Sequence, residues 1–459
     1  MLDLRDIQGN ILRGYAKFTH ARFMFFGIPA PAAGRGLLEA LLPLVTRAEW
    51  GERPAGATNI ALSFAGLRAL ALPADSLASF PVPFQVGMRA RAASLGDIGD
   101  SAPEHWDLPW RDQGVHVVIA AYAATEEARA RHCREVLAKV PPGIEVLSPA
   151  QDAATLMSIE GESDRIEHFG FVDGLSNPLI KGAPEGRKGR QSLVGNPDDA
   201  GGFRPVAAGE FILGHRDEGG EVVTPVPHLL VRNGSFLVVR KLHQQVARFR
   251  QYVAEQARLL SAAAPGVDQG YIAAKMMGRW PNGSPLVRHE RNPAPADLRN
   301  DFTYAGDPDG ALCPLGAHIR RANPRDSLGF GGRMVDRRRL VRRGIAYGKF
   351  LPPGEPDDQQ PRGIMFLAFN ADFERQFEFV QQQWLNYGDD FQQSNEADPI
   401  AGSQSGHGRM IIEGDERAGR VPLICRNIPS FVTTKGGDYF FAPSLTALRM
   451  MAANEVRVA

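Results

Sequence analysis

Short apolar runs that are each followed by a helix-forming stretch constrain the fold of this chain most. The clearest runs are residues 115–122, 235–240 and 363–369, and helices are predicted after the last two, over about residues 243–259 and 372–384. Apolar runs of this length are typical of buried strands. Strands that alternate with helices fit either a doubly wound sheet or two ferredoxin-like α+β units. The alternation alone leaves both folds open.

Length and composition predict two structural units. The chain has 459 residues, of which 43% are hydrophobic and 23% are charged, so it can bury a sizeable core. Residues 181–205 are rich in Gly, Arg, Asp and Pro and are the best candidate for a linker. We therefore expect an N-terminal subdomain over residues 1–200 and a C-terminal subdomain over residues 201–459.

Charge and cysteine content argue against several classes of protein. The formal net charge is zero, and the arginines of residues 333–343 come without the stacking aromatics of a nucleic-acid module. The three cysteines, Cys133, Cys313 and Cys425, are far apart and odd in number, which indicates a reducing compartment rather than a disulfide framework. The first residues are charged where a signal peptide has its apolar core, and no apolar run reaches transmembrane length. We therefore expect a cytoplasmic protein that binds neither nucleic acid nor membrane.

One histidine lies in a basic segment without a second metal ligand nearby. His318 follows Cys313-Pro-Leu-Gly-Ala and precedes Ile-Arg-Arg-Ala-Asn-Pro-Arg325, and the nearest histidines are His289 and His407. Structural zinc needs four Cys or His ligands and catalytic zinc usually three protein ligands, whereas haem iron needs one axial imidazole. The alternative is a hydrogen-bonded core or surface histidine, the commoner role of a lone histidine. His318 is thus a candidate haem ligand.

Two further segments carry residues suited to catalysis. Asp173 lies between glycines in His168-Phe-Gly-Phe-Val-Asp-Gly174, where the backbone can turn tightly and aim a carboxylate into a cavity. The alternative is an ordinary Asp-Gly turn. The other segment is an arginine pair, Arg342 and Arg343, with apolar residues on either side.

Together these segments resemble the dye-decolourising peroxidases, a family of haem enzymes, and in particular its longer-chain bacterial and fungal branch. The resemblance runs from Asp6-Ile-Gln-Gly-Asn-Ile11 to Thr434-Lys-Gly-Gly-Asp-Tyr-Phe-Phe-Ala-Pro443. It implies an α+β fold of the dimeric α+β barrel superfamily, with two ferredoxin-like subdomains of antiparallel sheets and peripheral helices. It also implies a haem between the sheet and the helices of the C-terminal half. The N-terminal subdomain would carry the distal aspartate, and the C-terminal one the proximal histidine and distal arginine.

The resemblance implies roles for individual residues. The family's motif of a glycine, two variable residues, an aspartate and a glycine matches Gly170 to Gly174, which makes Asp173 the expected catalytic base. His318 is the expected axial ligand of the iron. Arg342 is preferred over Arg343 as the catalytic arginine, because the family's arginine precedes an aromatic-glycine pair, here Tyr347-Gly348. Further contacts to the cofactor are expected from Gly170, Phe171, Gly174, Arg320, Leu367, Phe369 and Asp398.

Three of these contacts depend on position relative to the strand and helix near residues 363–384. Leu367 and Phe369 share a strand face, and the family has a Leu and a Phe in this arrangement above the distal side of the haem; plain core packing is the alternative. Asp398 is preferred over Glu378 and Glu396 as the acceptor of the imidazole N–H, because the family's acid follows this helix.

The implied activity is the oxidation of dyes and of phenolic and other aromatic electron donors by hydrogen peroxide. It would proceed through a ferryl intermediate, with one haem b (iron protoporphyrin IX) per chain, in a monomer or homodimer. Bulky dyes would pass electrons through surface aromatics, for which Trp384, Tyr387 and Tyr347 are candidates. One alternative is a non-catalytic haem- or iron-handling protein, which would need neither Asp173 nor Arg342. The other is an α/β hydrolase, for which the sequence lacks a Gly-x-Ser-x-Gly motif.

Overall fold

The computed structural model describes residues 2–112, 114–157, 165–184, 204–222, 225–262, 264–415 and 419–457. Its strands are β1 (His20–Gly27), β2 (Gly56–Leu62), β3 (Val117–Ala123), β4 (Glu145–Ala154), β5 (Leu156–Met157), β6 (Arg165–Ile166), β7 (Ser235–Gln244), β8 (Val341–Arg342), β9 (Ile345–Tyr347), β10 (Gly363–Asn370), β11 (Gly408–Ile412), β12 (Leu423–Ile428) and β13 (Val432–Ala442). Its α-helices are α1 (Gly9–Leu12), α2 (Pro31–Leu41), α3 (Phe64–Ala69), α4 (Ala74–Ala78), α5 (Val82–Ala90), α6 (Ala92–Leu95), α7 (Glu126–Leu137), α8 (His228–Val231), α9 (Val246–Leu260), α10 (Gln269–Met277), α11 (His318–Ala322), α12 (Arg333–Asp336) and α13 (Leu445–Ala452). A π-helical segment follows β10 at Phe373–Glu378 and Val380–Leu385. Within the described ranges, no helix is both long enough and apolar enough to cross a membrane.

The large sheet has the same strand order in each half of the chain. Among the described residues the order is β4-β1-β3-β2-β13-β7-β10-β8, and β9 also pairs with β10. The N-terminal strands therefore lie in the order 4-1-3-2. The C-terminal strands β7, β8 with β9, β10 and β13 take the same order when numbered from one to four. All these pairs are antiparallel, which confirms the predicted ferredoxin-like α+β fold and excludes the doubly wound sheet.

Strands β2 and β13 join the two halves. Phe441 of β13 pairs with Leu62 of β2, and at the other end β4 packs against β9, so the sheet curves towards a barrel. Its interior is apolar: β3 is buried along its whole length, and Leu367 of β10 lies with Phe23 and Val118 around a small cavity. The core of the protein is therefore shared between both halves.

A second, smaller core lies in the C-terminal half and fixes the start of α11. It is formed by residues of α9, α10, β11 and β12, together with the loop that precedes α11. Cys313 and Ala317 of that loop are both 0% exposed, and α11 contacts α10. The position of His318, the first residue of α11, is therefore set by apolar packing behind it.

The three predicted strands are confirmed as β3, β7 and β10, and the first predicted helix is α9. The second begins after Asp372, because the Asp372 carboxylate accepts a hydrogen bond from the Arg375 N–H at 2.9 Å. It then has π-helical geometry, which the sequence pattern did not predict. The expected subdomain boundary at residue 200, and most of the expected linker over residues 181–205, lie outside the described residues.

Candidate active site

The loop of residues 167–174, here called the distal loop, presents Asp173. Gly170 and Gly174 have φ of +99° and +81°, a conformation that residues with a Cβ rarely adopt. The backbone N–H of Asp173 donates to the Arg165 carbonyl at 2.8 Å. Its carboxylate is half-buried and has no hydrogen-bond partner in the part of the chain that the structure describes. Asp173 is therefore held by its backbone, while its carboxylate oxygen atoms stay available.

Glu167 fixes the shape of the distal loop from inside. Its buried carboxylate accepts hydrogen bonds from the backbone N–H groups of Phe169 and Phe171, both at 2.9 Å, and from the Gln244 side-chain amide of β7. Burial raises the pKa of Glu167 to about 7, although these three donors oppose the rise. Phe171, which was expected to contact the cofactor, is buried in the second core and anchors the loop there.

The two neighbouring arginines point in different directions. Arg342, at the end of β8, donates through Nη2 to the Leu175 carbonyl, directly after the distal loop, at 2.5 Å. Arg343 donates instead to two carbonyls of α1 near the N-terminus. Neighbouring residues of a strand face opposite sides of a sheet, which accounts for the divergence. Arg342 is thus the arginine on the side of the distal loop.

Leu367 and Phe369, which were expected to contact the cofactor, lie on the face of β10 opposite to Arg342. Arg342 of β8 pairs with Ala368 of β10, so these two side chains share one face of the sheet with Phe366. Leu367 and Phe369 lie on the other face, where they are 1% and 0% exposed in the core between the two halves. Phe366, which is half-buried, is the aromatic residue of β10 on the Arg342 side.

His318 is hydrogen-bonded to a buried carboxylate. Its Nδ1 lies 3.0 Å from Oδ2 of Asp398, which is 0% exposed and also accepts from the backbone N–H groups of Ile400 and Ala401. Burial raises the pKa of Asp398, but the imidazole, the nearby Arg321 and the Ala401 N–H together lower it below its ordinary value. An ionised carboxylate only accepts, so Nδ1 carries the hydrogen of this bond, and Nε2 is the ring nitrogen left to bind a metal. Within the described residues, Nε2 has no hydrogen-bond partner.

The other two acids considered for this role are engaged elsewhere. Glu378 accepts two hydrogen bonds from Arg91 and one from the Tyr439 hydroxyl. Glu396 is 2.7 Å from the guanidinium of Arg409. Of the three acids, Asp398 is therefore the one placed to accept from His318.

Arg320, which was expected to contact the cofactor, holds the loop before α11 instead. Its side chain is 1% exposed. Its guanidinium donates to the Asp307 carboxylate at 3.2 Å and to the carbonyls of Asp307, Pro308 and Cys313. Both Nη atoms of Arg320 are thus engaged with residues 307–313 of the protein itself.

Three further buried arginines form a cluster near Arg342. Arg279, Arg325 and Arg339 are 5%, 4% and 6% exposed. Arg279 and Arg325 both donate to the Asn300 side-chain oxygen at 2.6 Å, and Arg339 donates to the Ser176 carbonyl at 2.9 Å. Burial lowers the pKa of Arg279 and of Arg339 to about 9. Buried cations whose hydrogen bonds go to neutral oxygen atoms favour an anion beside them.

The turn after α10 connects the distal loop to the helix that carries His318. Gly278 has φ of +93°, and a Cβ there would lie 2.4 Å from the Ile319 side chain of α11. A Cβ at Gly283 would lie 3.2 Å from the side chain of Val172 in the distal loop. Gly278 and Gly283, which are separated by four residues of one turn, thus lie against the two sides of the site, and a larger residue at either position would push the sides apart.

These residues fit a haem better than a bare metal ion. Among the described residues, no cluster of three or more His, Cys, Asp or Glu side chains could hold a metal ion. A single imidazole with a free nitrogen suits an iron whose other ligands come from a porphyrin. The buried arginines would match the two carboxylates of that cofactor.

Comparisons with known proteins agree with this site. The model of the DyP dimeric alpha+beta barrel domain matches residues 6–154. The chain is 30% identical over 476 residues to the multifunctional dye peroxidase DyP2 of Amycolatopsis sp., covering 98% of this chain and 96% of that protein. It is 29% identical over 480 residues to peroxidase 2 of Mycetinis scorodonius, covering 98% and 87%. A solved dye-decolorizing peroxidase in complex with 2,6-dimethoxyphenol superposes with a TM-score of 0.79 at 26% identity, over 98% of this chain and 100% of that chain.

The similarity thus extends along almost the whole chain, in sequence and in structure. It includes both halves of the sheet and the loops that carry Asp173 and His318. The chain belongs to the dye-decolourising peroxidase family and is a haem-dependent peroxidase.

Proposed function

We propose that this protein uses hydrogen peroxide to oxidise dyes, phenols and other aromatic electron donors, with one haem b per chain. One arrangement carries the proposal: His318, with a free Nε2, and Asp173, with a carboxylate that has no hydrogen-bond partner among the described residues, lie on segments that both pack against the turn after α10. The sequence contains no Cys-x-x-Cys-His segment for covalent attachment, which favours haem b over a c-type haem.

Two groups of residues would hold the cofactor. His318 Nε2 would bind the iron, and Asp398 would accept the Nδ1–H, which orients the ring and makes it a stronger electron donor. The cluster of Arg279, Arg325 and Arg339 would neutralise the haem carboxylates. When bound, the haem supplies the redox chemistry that cleaves peroxide and oxidises the donor.

Asp173 and Arg342 would act on the peroxide. The Asp173 carboxylate would take the proton from one oxygen atom of hydrogen peroxide and give it to the other, which would leave as water, while the bound haem would supply the two electrons that cleavage of the O–O bond consumes. A guanidinium carries five N–H donors and a delocalised positive charge, and the N–H groups of Arg342 would stabilise the negative charge that develops on the leaving oxygen. The Arg342 bond to the Leu175 carbonyl keeps the guanidinium beside the distal loop.

The names of similar proteins support dyes and phenols as electron donors. One relative is called a multifunctional dye peroxidase, and one solved structure contains 2,6-dimethoxyphenol. Of the three aromatic residues considered for electron transfer, Trp384 and Tyr347 are each 3% exposed, whereas Tyr387 is 42% exposed. Tyr387 is therefore the one of the three that a bulky dye can touch directly.

The proposal is tested by adding haem to the purified protein and following 2,6-dimethoxyphenol oxidation with and without hydrogen peroxide. We expect a Soret band and oxidation that depends on both haem and peroxide. Haem uptake without peroxide-dependent turnover would identify a haem-handling protein instead. Absence of haem uptake would contradict the proposal altogether.

A further inference from the structure

Arg321 is a buried charge whose side-chain hydrogen bonds go to backbone carbonyls. It lies three residues after His318 on α11 and is 1% exposed. Its Nε donates to the Trp384 carbonyl at 2.6 Å, Nη1 to Glu396 at 2.8 Å and Nη2 to Tyr387 at 2.9 Å. Burying a guanidinium is costly unless its N–H groups are hydrogen-bonded. Because the guanidinium is planar and all three of its nitrogen atoms donate, the three carbonyls that accept from it are held in fixed positions around it.

The three carbonyls belong to the segment that ends at Asp398. Glu396 lies two residues before Asp398, and the backbone N–H of Asp398 donates to the carbonyl of Leu385 at 2.6 Å. The segment of residues 384–398 is thus a closed loop, with the Arg321 guanidinium bound to its carbonyls. On a helix, residues three apart lie on the same side. His318 and Arg321 therefore both reach towards this loop, one to its terminal carboxylate and the other to its backbone.

We infer that Arg321 is a positioning residue that sets the hydrogen bond between the axial imidazole and Asp398. This inference rests on the proposed role of His318 as the iron ligand. Arg321 ties the loop of residues 384–398 to α11, and so it fixes the 3.0 Å distance between His318 Nδ1 and Asp398 Oδ2. That hydrogen bond governs how strongly the imidazole donates electrons to the iron. Arg321 would thus tune the cofactor without touching it.

Arg320 provides a matched control. It is the neighbouring residue of the same helix, is also 1% exposed and also donates to several carbonyls. Its contacts lie in residues 307–313, and its guanidinium stacks on the Tyr304 ring at 4.4 Å, away from Asp398. A lysine at either position keeps the charge and loses the planar fork of donors. The two substitutions are therefore alike in chemistry and differ in which loop they release.

The test is the ferric–ferrous equilibrium of the haem-loaded protein, measured in wild type, Arg321→Lys, Arg320→Lys, Asp398→Asn and the double variant Arg321→Lys/Asp398→Asn. We expect Arg321→Lys to shift the equilibrium towards ferrous by about tenfold, or about 59 mV, because the weakened hydrogen bond makes the imidazole a poorer donor. The iron–histidine stretching frequency of the ferrous protein should fall with it. Asp398→Asn should give a larger shift, and Arg320→Lys should leave both readings at the wild-type value.

The double variant separates an action through Asp398 from a direct effect of the arginine. If Arg321 acts through Asp398, the double variant should show the same shift of the ferric–ferrous equilibrium as Asp398→Asn alone. A shift equal to the sum of those of the two single variants would overturn the inference. Equal shifts in Arg320→Lys and Arg321→Lys would overturn it too, because they would indicate general loosening of α11. A shift in Asp398→Asn alone would end the inference and leave the proposed function intact, while wild-type readings in all variants would reject His318 as the ligand.

If Arg321→Lys disrupts the protein too much for the cofactor to stay bound, Arg321→Gln provides a second variant that places no charge in the buried site. If both lose haem while Arg320→Lys retains it, and all keep the wild-type far-UV circular dichroism spectrum, the loss is specific to Arg321 and supports the inference. Loss of haem in Arg320→Lys as well would contradict it.

Discussion

The proximal and distal sides of the active site treat their carboxylates in opposite ways. Asp398 is 0% exposed and accepts hydrogen bonds from an imidazole and two backbone N–H groups. Asp173 is half-buried, and its carboxylate has no hydrogen-bond partner in the described residues. A fully satisfied buried carboxylate stays a fixed acceptor, whereas one without partners can take up a proton and release it. We therefore propose that aspartate is an anchor on the proximal side and a base on the distal side.

The two sides also differ in what holds them. The proximal loop and helix are held by buried arginine side chains, whereas the distal loop is held by glycine conformations and by hydrogen bonds to its own backbone. Substitution of the buried arginines on the proximal side should therefore change the affinity for the cofactor and its ferric–ferrous equilibrium. Changes to the glycines or to the backbone hydrogen bonds of the distal loop should instead change the rate of the reaction with peroxide.

The largest effect should come from His318. His318→Ala removes the proposed axial ligand and leaves Asp398 buried without its imidazole partner, so haem binding should weaken by more than about 100-fold. Haem titration followed at the Soret band measures this. His407→Ala, at an exposed histidine, is the control and should bind haem as the wild type does. Normal haem binding by the His318 variant would show that another residue is the ligand.

The arginine pair should separate rate from stability. Arg342→Leu should slow the reaction of the haem-loaded protein with peroxide by about 10²–10³-fold, because a donor to the developing negative charge is lost. Arg343→Leu should leave this rate within a few-fold and instead lower the free energy of unfolding, since Arg343 binds carbonyls of α1. Stopped-flow absorbance and urea unfolding give the two quantities. The reverse outcome would place Arg343, and not Arg342, at the peroxide.

The two faces of β10 offer a matched pair of phenylalanines. Phe369→Ala should lower the free energy of unfolding by about 3–5 kcal/mol, because Phe369 is fully buried in the core. Phe366→Ala should lower the free energy of unfolding by less than half as much. It should also change the Soret band of the haem-loaded protein. Urea unfolding and absorbance spectra of both variants check this. A spectral change in Phe369→Ala alone would contradict the assignment of faces.

The smallest effect should be a pH dependence of stability at the distal loop. Glu167 has a pKa of about 7 in the folded protein, above its ordinary 4.5, so the folded state binds more protons between these values. Stability should therefore fall as the pH rises from about 4.5 to 7, by roughly 1–3 kcal/mol. Glu167→Gln stays neutral and should lose this component. The difference in unfolding free energy between wild type and variant at pH 5 and pH 8 measures it, and a difference that does not change with pH would contradict it.

Much of this protein could be predicted from local sequence. The strands β3, β7 and β10 are continuous apolar runs, and the positions of Gly170, Gly174 and Asp173 follow from a spacing that needs left-handed backbone. These features depend on neighbouring residues and so leave a trace in the sequence.

The remainder depends on contacts between distant segments. The alternation of side chains along a strand shows that Leu367 and Phe369 share a face of β10. Only the pairing of Arg342 with Ala368 shows that Arg342 lies on the opposite face. The arginine cluster draws on Arg279, Arg325 and Arg339, which lie far apart in sequence and share no spacing. The partners of Arg320 could not be predicted for the same reason, since they lie in a loop without a recognisable pattern.

The most direct test of the contrast between the two carboxylates is the rate at which the haem-loaded ferric protein reacts with hydrogen peroxide. We would measure it by stopped flow in wild type, Asp173→Asn and Asp398→Asn, with Asp309→Asn as an exposed control. Asp173→Asn should slow the reaction by about 10²–10⁴-fold without loss of haem, because the amide cannot carry the proton. Asp398→Asn should shift the ferric–ferrous equilibrium and should slow the reaction with hydrogen peroxide much less than Asp173→Asn does. Equal rates in wild type and Asp173→Asn would contradict the assignment of Asp173 as the base.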